Sequence, residues 1–211
     1  MQRRLGKDSF AVYGPPVPVP EPSVQVTDVR ALRALAHPLR NRLLGLLRLD
    51  GPSTATLLGK RVGESSGSTS YHLRQLAAYG FVEELPEHGT GRERWWQARH
   101  RITSWRAEEV VGQDGGDEVQ EEMTRLQVAG HARVLHAWLA QRAGLDPAWT
   151  AAASVNDYAL RLTPAQSRAL AEELGAVLDR WLSEHPPDVP ADSTELVSVL
   201  LDVVPLREWP T

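Results

Sequence analysis

The chain has 211 residues, 42% of them hydrophobic, and a formal net charge of −4. It contains no cysteine, which excludes disulfides, thiolate zinc sites and cysteine nucleophiles together. No run of about 18 apolar residues is present, so neither a transmembrane helix nor a secretory signal is expected, and a cytoplasmic location follows. The net charge conceals a split. Residues 24–106 carry 13 Lys/Arg against 7 Asp/Glu, whereas residues 107–211 carry 7 Arg against 18 Asp/Glu. A basic first half and an acidic second half point to a polyanion as partner of the first.

Residues 1–23 end in "PPVPVPEP". Such a run favours polyproline II and cannot nucleate a helix, so a disordered Pro-rich arm is expected there. Two helices follow over residues 27–50. Thr27 is placed to cap the first, which carries Leu32 and Leu35 on one face. Pro38 opens the second, where Leu39, Leu43, Leu46 and Leu47 recur at helical spacing. Asp50-Gly51 stops it. Ser53 is placed to cap a short third helix with Leu57, Leu58 and Val62 inward, and Gly63 ends that helix.

The next segment is "ESSGSTSYHLRQLAAYG", residues 64–80. Ser65 can cap a helix whose inward set is Leu73, Leu76 and Ala77, with Gly80 as the residue just past its end. A short helix, a turn at Gly63 and a second helix make a helix-turn-helix. In that motif the second helix enters the major groove, leading with its N-terminal residues. Small hydroxyl side chains there let the backbone approach DNA and can donate or accept. Ser66, Ser68, Thr69, Ser70 and Tyr71 are accordingly expected to face outward, with Arg74 and Gln75 one turn behind. Lys60 and Arg61, at the end of the preceding helix, are expected to serve phosphates. "FVEEL" (81–85) and "RERWWQAR" (92–99) alternate around the turn "PEHGTG" and read as a hairpin. This is a wing, with Arg92 and Arg94 placed against the DNA backbone.

Three segments carry a family resemblance: "ALRALAHPLRNRLLGLL" (31–47), "STSYHLRQLAAYGFVEE" (68–84) and "GTGRERWW" (89–96). Together they resemble the ArsR-type winged-helix transcriptional regulators, and more narrowly a branch common in actinobacteria. The resemblance covers about residues 27–106. It implies a dimeric regulator whose hold on a palindromic operator changes with a ligand, and DNA contacts at Ser66, Ser68, Ser70, Tyr71 and Arg74. Here the sequence departs from metal-sensing members. The first helix of its helix-turn-helix, "STATLLGKRV", offers no metal ligand, so the sensing function is not carried over.

Residues 117–144 read as one long helix bearing two apolar stripes, which implies burial on two sides. Val119, Met123, Leu126, Val134 and Leu135 are the expected homodimer interface, since palindromic sites ask for two-fold symmetry. "SVNDYALRLT" (154–163) reads as a strand with Tyr158, Leu160 and Leu162 on one face. Thr163 to Gln166 has the spacing of a capping box, with a helix after it. "TELVSVLLDVVPL" (194–206) reads as a covered strand. Trp138, Trp149, Tyr158 and Trp181 are either ordinary core or the lining of a pocket for a small-molecule effector.

Other chemistry finds little footing. His131 and His136 are five residues apart, where a metal pair on one helix face needs four. No Gly-x-Ser-x-Gly and no phosphate loop occurs, so no enzyme, metal or cofactor is expected. The expected architecture is mainly α with a β-wing: an arm (1–23), a winged helix-turn-helix (24–106) and a C-terminal α+β module (107–211) that dimerises and accommodates an effector if one exists. The expected function is a sequence-specific DNA-binding repressor. A winged helix that binds protein instead of DNA is the alternative.

Overall fold

The computed structural model describes residues 20–86, 88, 93–185 and 194–208, and the chain divides into two compact units, residues 1–127 and 128–211. In the first unit the order is β1 (Glu21–Gln25), α1 (Val29–Leu35), α2 (Pro38–Asp50), β2 (Ser53–Thr54), α3 (Ala55–Val62), α4 (Ser66–Ala78), β3 (Val82–Leu85), β4 (Trp95–Ala98), β5 (His100–Ser104) and α5 (Ala107–Val110). The long helix α6 (Gly116–Gln141) starts in this unit and continues into the second. This is a winged helix-turn-helix, as the sequence order implied. Residues 1–19, which carry most of the expected arm, lie outside the described residues.

The α1–α2 junction shows why "LAHPLR" is a unit. The His37 ring Nδ1 accepts the Leu39 N–H (3.2 Å) and caps α2, while Pro38 occupies a first-turn position that needs no N–H. Arg40 folds back and donates to the carbonyls of Ala34 and Arg33, which α1 leaves unpaired at its end. The α1 and α3 caps are Asp28 and Thr54, each one residue beyond the expected Thr27 and Ser53. Asp28 accepts from Arg30 N–H and Thr54 from Leu57 N–H. Ser53 is taken up instead by a short ladder of β2 against β4.

Two small sheets frame the helices. β2, β4 and β3 form an antiparallel sheet in which Val82 faces Ala98 and Leu85 faces Trp95. β1 pairs in parallel with β5, an edge that alternation alone did not reveal. Arg48 of α2 ties that edge to the helices, donating to the His100 carbonyl (3.0 Å) and to Thr103 Oγ1 (2.6 Å). Burial lowers its guanidinium pKa to about 10, and the two hydrogen bonds compensate its desolvation. The core runs from Val26 to Met123 and centres on Leu32, Leu43, Leu58, Leu73 and Leu76.

Val119 and Met123 belong to that core, at 4% and 3% exposure, so they are not dimer-interface residues. Their stripe of α6 is consumed by the chain's own first unit. Leu126 is half-buried, while Val134 and Leu135, on the continuation of α6, stand 39% exposed each and remain open to a partner.

The second unit contains the rest of α6, one 3-10 turn (Arg142–Gly144), α7 (Pro147–Ala152) and α8 (Pro164–Glu184). The expected capping box is present: Gln166 N–H donates to Thr163 Oγ1, and the Thr163 N–H donates to Gln166 Oε1 (2.9 Å). The expected strands at 154–163 and 194–206 do not form; neither segment has a ladder partner among the described residues. None of the described residues of this unit is buried.

Candidate nucleic-acid interface

Helix α4 is fixed at both ends by its own sequence. Ser65 Oγ accepts the Ser68 N–H (3.1 Å). At the other end Gly80 has φ +74°, with Phe81 N–H donating to the Leu76 carbonyl and Gly80 N–H to that of Ala77. These two bonds, with Phe81 and Leu76 buried together, make a Schellman closure that only a left-handed residue at position 80 permits. Leu73 and Leu76 are fully buried and set the helix's rotation about its axis.

That rotation sorts the predicted residues. Ser66, Tyr71 and Arg74 are exposed, and Ser68, Ser70 and Gln75 are half-buried. Thr69 is fully buried and does not face outward. Its hydroxyl donates to the Ser65 carbonyl (2.9 Å), and it lies against the third helix, so it belongs to the packing of the motif and not to a DNA surface. Ser66, Ser70 and Arg74 recur every four residues on one stripe. This stripe lines a concavity of about 390 Å³, closed on the other side by Thr54, Ala55, Thr56, Glu93, Arg94 and Trp96. The α4 stripe and the base of the wing thus face one groove. Arg74 Nε donates to the Ser70 carbonyl (3.1 Å), which orients the guanidinium along the helix. Arg94 is held by Glu84 (3.3 Å). Glu93 puts one carboxylate into the same groove.

Lys60 is exposed near the end of α3, and its neighbour Arg61 is paired with Asp50 of α2. Arg92 lies outside the described residues. The candidate pocket residues make no ring contacts with one another among the described residues. Trp138 stacks under Arg142 (5.9 Å), Trp181 stacks on His185 (5.0 Å), Tyr158 is 81% exposed, and no ring contact joins Trp149 to the other three.

Gly59 is a residue the sequence reading passed over. A Cβ there would lie 2.7 Å from the Glu64 carbonyl and 3.0 Å from Thr69 Oγ1. The Gly59 carbonyl itself accepts the N–H groups of Gly63 and Glu64. The turn therefore folds back directly onto Gly59, and this close approach brings α4 against α3. A glycine inside a helix that precedes a left-handed glycine was the available signal.

His72 points inward from α4 and its ring meets His37 at a tilt, ring centroids 4.5 Å apart. Its Nδ1 is buried without a hydrogen-bond partner. Burial lowers both imidazole pKa values, with the nearby Arg40 guanidinium adding to the effect, and keeps the pair neutral near pH 7.

Among the described residues no group of three or more potential ligands is placed to hold a metal ion, and no helix is long and apolar enough to cross a membrane.

Residues 35–84 match the family model of a helix-turn-helix domain. No curated protein matches the chain. Among solved structures, the chain is similar to the homodimeric winged helix-turn-helix DNA-binding domain (fragment 1–100) of a Mycobacterium bovis protein described as a possible ArsR-family transcriptional regulator. That likeness has a TM-score of 0.32 and 20% identity, over 50% of this chain and 79% of the other. It is also similar to the crystal structure of RV1404 from Mycobacterium tuberculosis, with a TM-score of 0.30 and 16% identity, over 70% of this chain and 82% of the other.

Proposed function

We propose that this helix-turn-helix chain is a transcriptional regulator of the ArsR type that reads double-stranded DNA as a homodimer and represses from a palindromic operator. The observation that carries the reading is the groove shared by α4 and the wing. Ser66, Ser70 and Arg74 descend one face of a helix whose N-terminus is open, and Arg94 faces them from β4's approach. A helix N-terminus with small hydroxyl residues favours phosphate, and a guanidinium two turns down reaches a base edge or the next phosphate. The basic excess of residues 24–106 supplies the long-range attraction. Tyr71, 53% exposed on the adjacent stripe, is placed for an apolar base contact.

The absence of cysteine removes the thiolate route to sensing. If a small molecule controls the protein, the acidic second unit is the place for it, at surfaces that only an assembled dimer would enclose.

The test is selection of bound sequences from a random duplex library, followed by titration against salt. The expected product is a palindrome with half-sites about one helical turn apart, and affinity that falls steeply with salt. Failure to enrich any sequence, together with one stoichiometric protein partner in a pull-down, would replace DNA reading with protein binding.

A further inference from the structure

The second unit is not a finished fold as a single chain. Among the described residues it holds 17 of the 22 large hydrophobic side chains that stand exposed, and none of its described residues is buried. Residues 154–162 form no element, and none of their backbone groups hydrogen-bonds to another described backbone group. The flanking Ala153 and Thr163 both lie in the β region. Val155, Tyr158, Leu160 and Leu162 are 66%, 81%, 64% and 42% exposed. Nine residues with β-type alternation, an apolar face open to water and no bond to another described backbone group are an edge strand without its neighbour.

The sequence of this segment identifies the neighbour. We propose that residues 154–163 form an antiparallel ladder with the same residues of a second copy of the chain, centred on Ala159. In that register Ala159 meets the partner's Ala159. Tyr158 meets the partner's Leu160, and Leu160 meets the partner's Tyr158, so the central apolar residues meet across the pair, with Leu162 opposite the partner's Asn156. On the opposite face Asp157 meets the partner's Arg161, and Arg161 meets the partner's Asp157. Neither side chain has an ion-pair partner among the described residues of its own chain. A segment whose two charges are opposite in sign and equidistant from its centre is complementary to itself only when reversed by a two-fold axis. A parallel pairing in register would set Asp157 against Asp157. This ladder deepens the homodimer of the proposed function: the partner supplies a strand, and the second unit acquires a covered core only when two copies are present.

The chain's lack of cysteine makes the test free of background. Residues directly opposite in an antiparallel pair have Cα atoms roughly 4.5–5.5 Å apart, within the range a disulfide spans. In the full-length protein, Ala159→Cys is expected to convert to a covalent dimer under mild oxidation and to revert with reductant. Ser154→Cys would set its two copies about 34 Å apart along the ladder and is expected to stay unlinked. Asp157→Cys and Arg161→Cys are each expected to stay unlinked alone and to link when mixed. Asp157→Arg is expected to weaken dimerisation about fivefold or more in sedimentation equilibrium, and Asp157→Arg combined with Arg161→Asp to restore it. A dimer in sedimentation with no Ala159→Cys linkage, or equal linkage of Ser154→Cys, overturns the ladder and leaves the homodimer standing. A monomer at tens of micromolar overturns both. DNA titration of the same preparations scores the DNA reading separately.

Discussion

Gly45 and Gly59 lie inside helices of the first unit, and their surroundings predict opposite outcomes for the same substitution. Gly45 in α2 has nothing within 4 Å of where a Cβ would stand. Gly59 in α3 has a backbone carbonyl oxygen at 2.7 Å and a hydroxyl at 3.0 Å. Alanine gains about 0.8–1 kcal/mol over glycine in a helix interior at either position. At Gly45 that gain is unopposed. At Gly59 the new methyl group must displace the Glu64 carbonyl, which cannot rotate away, or Thr69, which is fully buried and bonded to Ser65. Overpacking of this kind costs about 1–3 kcal/mol, and two immobile obstacles place it in the upper part of the range. The expected net effects are about 1 kcal/mol of stabilisation for Gly45→Ala and about 1–2 kcal/mol of destabilisation for Gly59→Ala. At about 2–4 °C per kcal/mol for a chain of this length, the two variants should separate clearly in thermal melts followed by circular dichroism. Urea midpoints with unchanged m-values would confirm that stability alone had moved. Equal stability of the two variants would refute the claim that the turn closes on Gly59. Because the displaced groups anchor the start of α4, Gly59→Ala should also lose operator affinity at temperatures where it remains folded.

The remaining predictions concern the groove and the buried imidazoles. Arg74→Ala should weaken operator binding and reduce the slope of log K against log salt by about 0.9 if Arg74 neutralises one phosphate; an unchanged slope and affinity would remove it from the interface. Glu93→Gln should raise affinity for DNA of any sequence severalfold, measured by fluorescence anisotropy, since Glu93 is the carboxylate in the groove with Arg74 and Arg94. His37, His72 and His100 all have pKa values lowered, chiefly by burial. The unfolded chain therefore takes up protons near the ordinary value of 6.5, before the folded chain does, and stability falls as pH drops below that value. The Tm should be level above about pH 7 and decline towards pH 5.5. His72→Phe, which retains a ring against His37, should flatten that decline.

The first unit was largely legible because its signals are local. Glycines at 63 and 80, a serine cap at 65 and leucines at helical spacing each state a backbone requirement that a single turn can satisfy. Periodicity, however, shows that a side chain is on the outward half of a helix, not what stands there. Thr69 has the same small polar character as Ser68 and Ser70, and the sequence treats all three alike. Only the approach of α3 at Gly59 turns Thr69 inward. Similarly, Arg48 reads as one more helix-surface cation until β5 arrives to accept its hydrogen bonds, and β5's partner β1 starts inside the proline run that masks it. Val119 and Met123 show the same limit for apolar residues. A stripe announces that it will be covered, but the cover here comes from the same chain.

In the second unit the sequence pattern asks for two strands, at 154–163 and 194–206, and neither forms. Alternation at 154–163 and the continuous apolar run at 194–206 express what those segments need, namely a neighbouring backbone and a cover. A single copy supplies neither, so the same residues that would make a strand are left with large apolar side chains in water. Where a strongly patterned segment lacks its element in one chain, the missing term is a partner, and the symmetric placement of Asp157 and Arg161 about Ala159 specifies which partner it should be. Trp138, Trp149, Tyr158 and Trp181 make no ring contact with one another among the described residues. On the proposed ladder, a cavity lined by these residues takes its opposite wall from the second copy, and effector binding there depends on the proposed dimer.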